Sequence, residues 1–245
     1  MRNLFSYLLA TTLCVLGCSA AKVVAPQPQI RDQDHHLAEI KEKPKSHTDV
    51  DDYLFDPYPF VGSICTLEND VIGSGVLIAS NLVLTAAHVS EGREYDELVF
   101  IEYDGDSYCV SEVIYHPEYI PDALNHDISI LVLESLSDEQ PVALKDNPSK
   151  HMNLTTVGYG TGRKRFSNYG VFWYYGRLID KPQFMIMLPL KGTIWFGDSG
   201  GGVFTLDNEL VGVVSYLQYK NGIIYENGCA SILYYKEWIQ DNING

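Results

Sequence analysis

Three polar residues stand in contexts that suit nucleophilic catalysis. His88 ends an apolar stretch, Asp127 opens another, and Ser199 lies in a glycine-rich turn at residues 197–202. A serine hydroxyl is a poor nucleophile at neutral pH and needs an adjacent base, and an imidazole suits because its pKa lies near neutrality. His126 stands beside Asp127 but is the weaker candidate for that base. The pattern predicts a serine nucleophile served by His88.

The segments around these residues read LTAAHV at 84–89, HDISIL at 126–131 and GDSGGG at 197–202. In the chain order His, Asp, Ser they resemble the trypsin/chymotrypsin-like serine peptidase family. Further resembling segments are HPEY at 116–119, VGYG at 157–160, LVGVVSY at 210–216 and YKEWI at 235–239. The resemblance covers residues 57–245 and none of the first 56. It implies an all-β fold of two six-stranded antiparallel β-barrels, with the site in the cleft between them and a short C-terminal helix.

The resemblance also implies a role for each catalytic residue. His88 takes the proton from Ser199 and later donates it to the leaving amine, while Asp127 holds the imidazole in the correct tautomer. The backbone N–H groups of Gly197 and Ser199 form the oxyanion hole, where one donor is typically worth about 3 kcal/mol. No cofactor and no metal are expected.

Substrate selection is expected to depend on five further positions. By resemblance, Thr193 lies at the base of the primary specificity pocket, Ser215, Tyr216 and Leu217 line one wall, and Gly228 lies on the opposite wall. Thr193 is neutral, which disfavours Arg or Lys before the cut. Leu217 stands where the family has a Gly and is expected to narrow the pocket, so small or medium uncharged side chains are predicted. Alternatively, the loop register is shifted and Leu217 is an ordinary core residue.

By resemblance, Asp198 shapes the oxyanion loop. In animal members of the family the matching Asp pairs with a new N-terminal amine made by zymogen cleavage. This sequence has no Ile-Val-Gly-Gly-like start, and its nearest family-like segment is residues 58–62. Asp198 therefore needs another cation or hydrogen-bond donor, or a cleavage before Pro59.

The elements that must position these residues read mainly as strands. Short runs rich in Val, Ile, Leu and Tyr are bounded by turn residues, which is typical of a β sandwich or barrel. The clearest runs are residues 75–79, 82–87, 98–103, 128–133, 210–216 and 223–225. Only the end reads as helix, because Tyr235, Trp238, Ile239 and Ile243 form an amphipathic stripe.

The first 56 residues differ from the body. Residues 1–17 combine Arg2 with an apolar stretch and predict a signal peptide. Residues 15–18 resemble a bacterial lipobox in which Cys18 is acylated; an ordinary cleaved signal and a plain membrane anchor are the alternatives. Residues 18–56 hold prolines and mixed charges and predict a flexible tether. Its three histidines lack a ligand cluster and are interpreted as solvated linker residues.

Composition limits the partners. The formal net charge of −15 argues against nucleic acid and against binding an anionic lipid surface through charge. The expected partner is a protein or peptide substrate, with membrane contact only through the lipid anchor. Cys65, Cys109 and Cys229 can form at most one bridge, whose pairing is open, and no Cys spacing suggests zinc.

Three functions remain open. The first is an exported serine endopeptidase at a bacterial cell envelope. The second is a catalytically latent or inactive protease-like binding or adhesion module, which Leu217 and the missing activation start favour. The third is a structural envelope lipoprotein with coincidental motifs.

Overall fold

The computed structural model describes residues 48–49, 56–121, 125–162, 165–175, 183–189, 194–220 and 223–245. All of them belong to one structural unit, Glu42–Gly245. The predicted signal peptide, Cys18 and Thr193 lie outside the described residues. The first strand, β1 (Thr48–Asp49), falls in the predicted tether and pairs with a strand of the body.

Six antiparallel strands of the N-terminal half form a closed barrel in the order β2-β3-β4-β7-β6-β5. They are β2 (Val61–Thr66), β3 (Val71–Ala79), β4 (Leu82–Thr85), β5 (Leu98–Ile101), β6 (Ser107–Tyr115) and β7 (Ser129–Leu133). Burial alternates along β5, so Leu98 and Phe100 point inward and are fully buried. They pack with Ile64, Leu77 and Leu131 in the barrel interior.

The C-terminal half forms a second sheet in the order β1-β9-β10-β13-β12-β11-β8. Its strands are β8 (Asn153–Gly158), β9 (Arg165–Tyr175), β10 (Phe184–Pro189), β11 (Gly202–Phe204), β12 (Leu210–Lys220) and β13 (Ile223–Ser231). Because β8 also pairs with β9, six of the seven strands are joined in a ring. The predicted chymotrypsin-like fold is confirmed, and each of the six clearest sequence runs overlaps a strand.

Two α-helices occur in the described part of the chain, α1 (Ala87–Ser90) and α2 (Ile232–Asn244). The predicted C-terminal helix is confirmed: Tyr235 and Ile239 are buried, and Trp238 packs beside them. The strand predicted over 82–87 was too long. It ends at Thr85, because the chain turns there into α1, and His88 therefore lies on a single helical turn.

One apolar cluster joins the two halves. It contains Leu84 and Ile130 from the first barrel, Val157 and Val213 from the second sheet, and Tyr235 from α2. All five are buried to 1% exposure or less. The two halves are therefore fixed against each other by shared hydrophobic packing, and side chains at their junction keep a defined geometry.

All three cysteines of the body, Cys65, Cys109 and Cys229, are free thiols. Burial raises the pKa of the Cys229 thiol to about 12, so this thiol stays protonated and unreactive at neutral pH. None of the described helices is both long enough and apolar enough to cross a membrane.

Candidate active site

His88 and Asp127 come together because β4 and β7 are paired. Thr85 at the end of β4 lies opposite Ser129 at the start of β7, so the residues just beyond these ends are neighbours. His88 Nδ1 lies 2.8 Å from Asp127 Oδ2, and the His88 backbone N–H donates to Asp127 Oδ1 at 2.9 Å. A carboxylate only accepts, so Nδ1 carries the proton and Nε2 keeps its lone pair.

The two groups shift each other's pKa. Burial by itself lowers the pKa of His88, but the charge of Asp127 and its hydrogen bond outweigh burial and raise it above its ordinary value. Burial by itself raises the pKa of Asp127, but the nearby imidazole and the hydrogen bonds from His88 and Ser215 outweigh burial and lower it. Asp127 is therefore charged at neutral pH, and the protonated form of His88 is stabilised.

Ser215 completes the hydrogen bonding of Asp127. This serine lies on β12 of the second sheet and is 4% exposed. Its hydroxyl donates to Asp127 Oδ2 at 2.5 Å. The resemblance predicted Ser215 in the substrate-binding wall, and its contact with the carboxylate is an addition that the sequence pattern did not indicate.

The glycine-rich turn (residues 197–202) packs on the end of β4. Gly200 has a φ of +82°, and a Cβ there would lie 2.1 Å from both the Ser74 carbonyl oxygen and Thr85 Oγ1. Only glycine combines this conformation with this close approach. Ser199 thus lies beside the segment that leads to His88. Among the described residues, no hydrogen bond joins the Ser199 hydroxyl to His88; such bonds are often long before substrate binds.

Two backbone N–H groups in the turn are available to bind a substrate oxygen. Gly197 has a φ of +92°, and neither its N–H nor that of Ser199 has a hydrogen-bond acceptor in the part of the chain that the structure describes. A pair of unpaired N–H groups separated by one residue is the arrangement that binds an oxyanion.

Two backbone N–H groups bind the Asp198 carboxylate in this turn. Asp198 is 1% exposed, and its Oδ1 accepts from the Gly160 N–H at 2.7 Å. Its Oδ2 accepts from the Trp195 N–H, also at 2.7 Å. Backbone donors therefore supply two of the hydrogen-bond partners that the sequence left undetermined. Ser74, which no sequence pattern indicated, also contacts the turn.

The described specificity residues form an apolar group. Leu217 is half-buried and packs, with the buried Ile194, against the core of the second sheet. The Tyr216 ring lies against Gly228, where a Cβ would be 1.9 Å from the ring, and meets Phe184 edge-on with centroids 5.2 Å apart. The described residues of the expected pocket wall, Ser215, Tyr216, Leu217 and Gly228, are thus uncharged, and Leu217 contacts the core of the sheet.

His116, Glu118 and His126 form a second cluster, with possible metal-ligand atoms within 4.8 Å of one another. The two imidazole rings are stacked, with centroids 4.7 Å apart and planes 8° apart. His116 Nδ1 also accepts from the Glu118 N–H at 3.2 Å. A metal lies in the plane of each imidazole that binds it, so stacked rings do not fit one shared ion. The cluster packs on Tyr235 of α2, and His126 Nε2 lies 3.3 Å from the Glu118 carboxylate.

Most of the chain matches a known family. Residues 56–239 match the model of the Trypsin family. This range covers most of the described residues, including His88, Asp127 and Ser199.

Two curated relatives align with part of the chain. "Inactive CLIP domain-containing serine protease A28" of Anopheles gambiae is 29% identical over 127 residues, which are 44% of this chain and 34% of that protein. "Trypsin" of Saccharopolyspora erythraea is 32% identical over 94 residues, which are 36% of this chain and 41% of that protein. The chain therefore spans less than half of the length of either relative.

A solved structure has the same fold. The crystal structure of scabies mite inactivated protease paralogue S-I1 superposes with a TM-score of 0.69 at 22% identity, covering 82% of this chain and 99% of that one. At this identity the likeness concerns the fold alone.

Proposed function

The chain belongs to the trypsin family, and on that premise we propose that it is an exported serine endopeptidase that uses His88, Asp127 and Ser199. One observation carries the proposal: the buried Asp127 receives hydrogen bonds from His88 and Ser215. A buried carboxylate is costly unless it is fully hydrogen-bonded, and here the His88 backbone N–H, the His88 ring and the Ser215 hydroxyl all donate to it. A role in catalysis accounts for this carboxylate, because it orients the imidazole of His88 and stabilises its protonated form.

The geometry supports the following reaction. His88 Nε2 takes the proton of the Ser199 hydroxyl as Ser199 Oγ bonds to the substrate carbonyl carbon, whose C=O electron pair moves onto oxygen. The N–H groups of Gly197 and Ser199 stabilise that oxyanion. When the oxyanion collapses, the C–N bond breaks, and the proton on His88 passes to the leaving amine. Water then hydrolyses the acyl-enzyme by the same steps in reverse, and Ser199 is regenerated.

The preferred substrate has a small or medium uncharged side chain before the cut. Leu217, Ile194 and Tyr216 are apolar or aromatic, and Thr193 adds no charge. A pocket of this kind offers no partner to a buried ammonium or guanidinium group, whose desolvation would be costly.

We propose further that the protein is anchored at a bacterial cell envelope. Residues 1–17 then direct export, Cys18 carries the acyl chains, and residues 18–56 separate the peptidase from the membrane. Arg2 followed by an apolar stretch, and the lipobox-like residues 15–18, support this part of the proposal. More than one acyl chain gives stable attachment. Release after ordinary signal cleavage is the alternative.

A second candidate function is a latent or inactive binding module. Two of the similar proteins carry the word inactive or inactivated in their names. In this chain Leu217 replaces the Gly that the family has in the pocket wall, and it packs against the core of the second sheet. Such a protein would bind a partner on the outer surface of the same fold without cleaving it.

Labelling with a fluorophosphonate distinguishes the two functions. The full chain, solubilised in mild detergent, is incubated with the reagent, and its intact mass is measured beside that of Ser199→Ala. One adduct on the wild type and none on the variant support the peptidase. A folded wild type that gains no adduct and leaves casein intact supports the binding module instead.

A further inference from the structure

Ser74 contacts the glycine-rich turn at two points. It lies on β3 of the first barrel and is fully buried. Its hydroxyl donates to the Gly197 carbonyl at 2.6 Å, and its backbone N–H donates to the Ser199 carbonyl at 2.8 Å. The three residues Gly197–Ser199 are therefore held at both ends by one residue of a different barrel.

Ser74 is itself fixed by two other contacts. Its hydroxyl oxygen accepts from the Tyr159 N–H at 2.8 Å, and its carbonyl accepts from Thr85 Oγ1 at 2.8 Å. Since the Tyr159 N–H occupies a lone pair of the hydroxyl, the hydroxyl proton is directed at the Gly197 carbonyl. The serine thus joins three segments: β4, the loop after β8 and the turn.

The carbonyl that Ser74 holds lies between the two proposed oxyanion donors. The Gly197 carbonyl belongs to the peptide plane between Gly197 and Asp198. The preceding plane contains the Gly197 N–H, and the following plane contains the Ser199 N–H. A peptide group is planar, so fixing the central plane restricts rotation of both neighbouring planes. The direction of each donor therefore depends on the Ser74 hydroxyl.

Asp198 holds the turn through a different set of contacts. Its carboxylate binds the Gly160 and Trp195 N–H groups, which anchors the side chain below the turn. A carboxylate cannot donate a hydrogen bond to the Gly197 carbonyl, and the Ser74 hydroxyl donates to that carbonyl instead. Buried carbonyls that lose their donor turn toward another partner, since an unsatisfied buried polar group is costly.

We infer that Ser74 is a positioning residue that keeps the Gly197 and Ser199 N–H groups directed at the substrate carbonyl. The inference rests on the proposed peptidase function. Oxyanion donors act mainly in the transition state, so the expected effect of losing Ser74 is on kcat rather than on KM.

The test compares Ser74→Ala with Ser63→Ala in the full chain. Ser63 is the cross-strand partner of Ser74, is also buried, and contacts Cys65 rather than the turn. A peptide p-nitroanilide with alanine before the cut serves as substrate. We expect Ser74→Ala to lower kcat by about 10-fold to 100-fold with KM within about twofold, and Ser63→Ala to leave both unchanged. Equal kcat values in the two variants would overturn the inference. A decrease in kcat/KM of Ser74→Ala that comes only from a higher KM would also overturn it.

Amide hydrogen exchange gives a readout that does not need activity. The Asp198 and Gly200 N–H groups of the turn are hydrogen-bonded to the Trp195 and Val214 carbonyls. Their exchange is expected to accelerate in Ser74→Ala but not in Ser63→Ala, and unchanged exchange would overturn the inference. Ser74→Cys, which is nearly isosteric and a weak donor, serves if Ser74→Ala does not fold; wild-type kcat and exchange in this variant count against the inference. If the wild type neither labels with fluorophosphonate nor cleaves peptides, the proposed function fails, and accelerated exchange in the Ser74 variants still supports the positioning role.

Discussion

Ser215 and Asp127 are joined by a 2.5 Å hydrogen bond that runs between the two barrels. Asp127 precedes β7 of the first barrel, and Ser215 lies on β12 of the second sheet. The carboxylate that orients His88 therefore depends on both halves of the fold. Loosening the junction between them would disturb the base even if every catalytic residue were present.

Replacing Asp127 by Asn should impair both the rate and the pH profile. On the proposed peptidase function, wild-type activity should rise with pH as His88 loses its proton, and the midpoint should lie above the ordinary histidine value because Asp127 raises the pKa of His88. Asp127→Asn removes that charge, so the pKa of His88 should fall and kcat should drop by about 10⁴-fold. The imidazole C2–H shift followed by NMR from pH 5 to 9 measures the pKa in each protein. The same midpoint in both proteins would contradict the assigned role of the charge.

Ser215→Ala should weaken the support of Asp127. A hydrogen bond to a charged group contributes about 1.5–3 kcal/mol, so kcat/KM should fall by about 10-fold and unfolding in urea at pH 8 should come at a lower concentration. Ser231→Ala is the matched control, because Ser231 is equally buried and its hydroxyl has no hydrogen-bond partner among the described residues. Comparable losses in the two variants would mean that any buried serine has this effect.

Gly200→Ala should prevent the turn from docking on β4. The added methyl group would overlap Ser74 and Thr85, and the alanine would also have to adopt a φ of +82°. Gly92 has a similar φ of +73° with no atom within 4 Å, so Gly92→Ala isolates the backbone strain. We expect about 1 kcal/mol of destabilisation for Gly92→Ala and about 3–6 kcal/mol for Gly200→Ala. Urea titrations of both variants measure the difference, and equal midpoints would refute the close packing.

Leu217→Gly should widen the substrate pocket. The ratio of kcat/KM for peptides with Phe rather than Ala before the cut should rise by about 10-fold or more, because the removed side chain occupies the expected wall. Leu206→Gly is the control, since Leu206 is exposed on a turn after β11. An unchanged ratio in Leu217→Gly would show that Leu217 belongs to the core alone.

The sequence predicted the strands and His88, Asp127 and Ser199 because each lies within a local motif. The AAH and GDSGG segments are recognisable without knowing what they touch. The helical turn that carries His88 was not predicted, since four residues are too few to show a helical period.

The residues that support the site could not be predicted in the same way. Ser74 is a lone serine in a strand, and its importance arises only because barrel docking brings it to Gly197. Two partners of Asp198 are backbone N–H groups, which any residue other than proline would supply. The resemblance pointed to Ser215, but only the register of β12 shows that its hydroxyl reaches Asp127.

The supporting hydrogen bonds also set an order of assembly during protein synthesis. Ser74 and Gly197 are separated by 123 positions, and Asp127 and Ser215 by 88. A ribosome completes the first barrel, with its base, long before it adds the serine. Contacts between distant positions form late, because closing a long loop costs entropy before any contact compensates for it. On the proposed peptidase function, activity arises only after the last strands have docked, so the growing chain would not cleave neighbouring proteins during its synthesis.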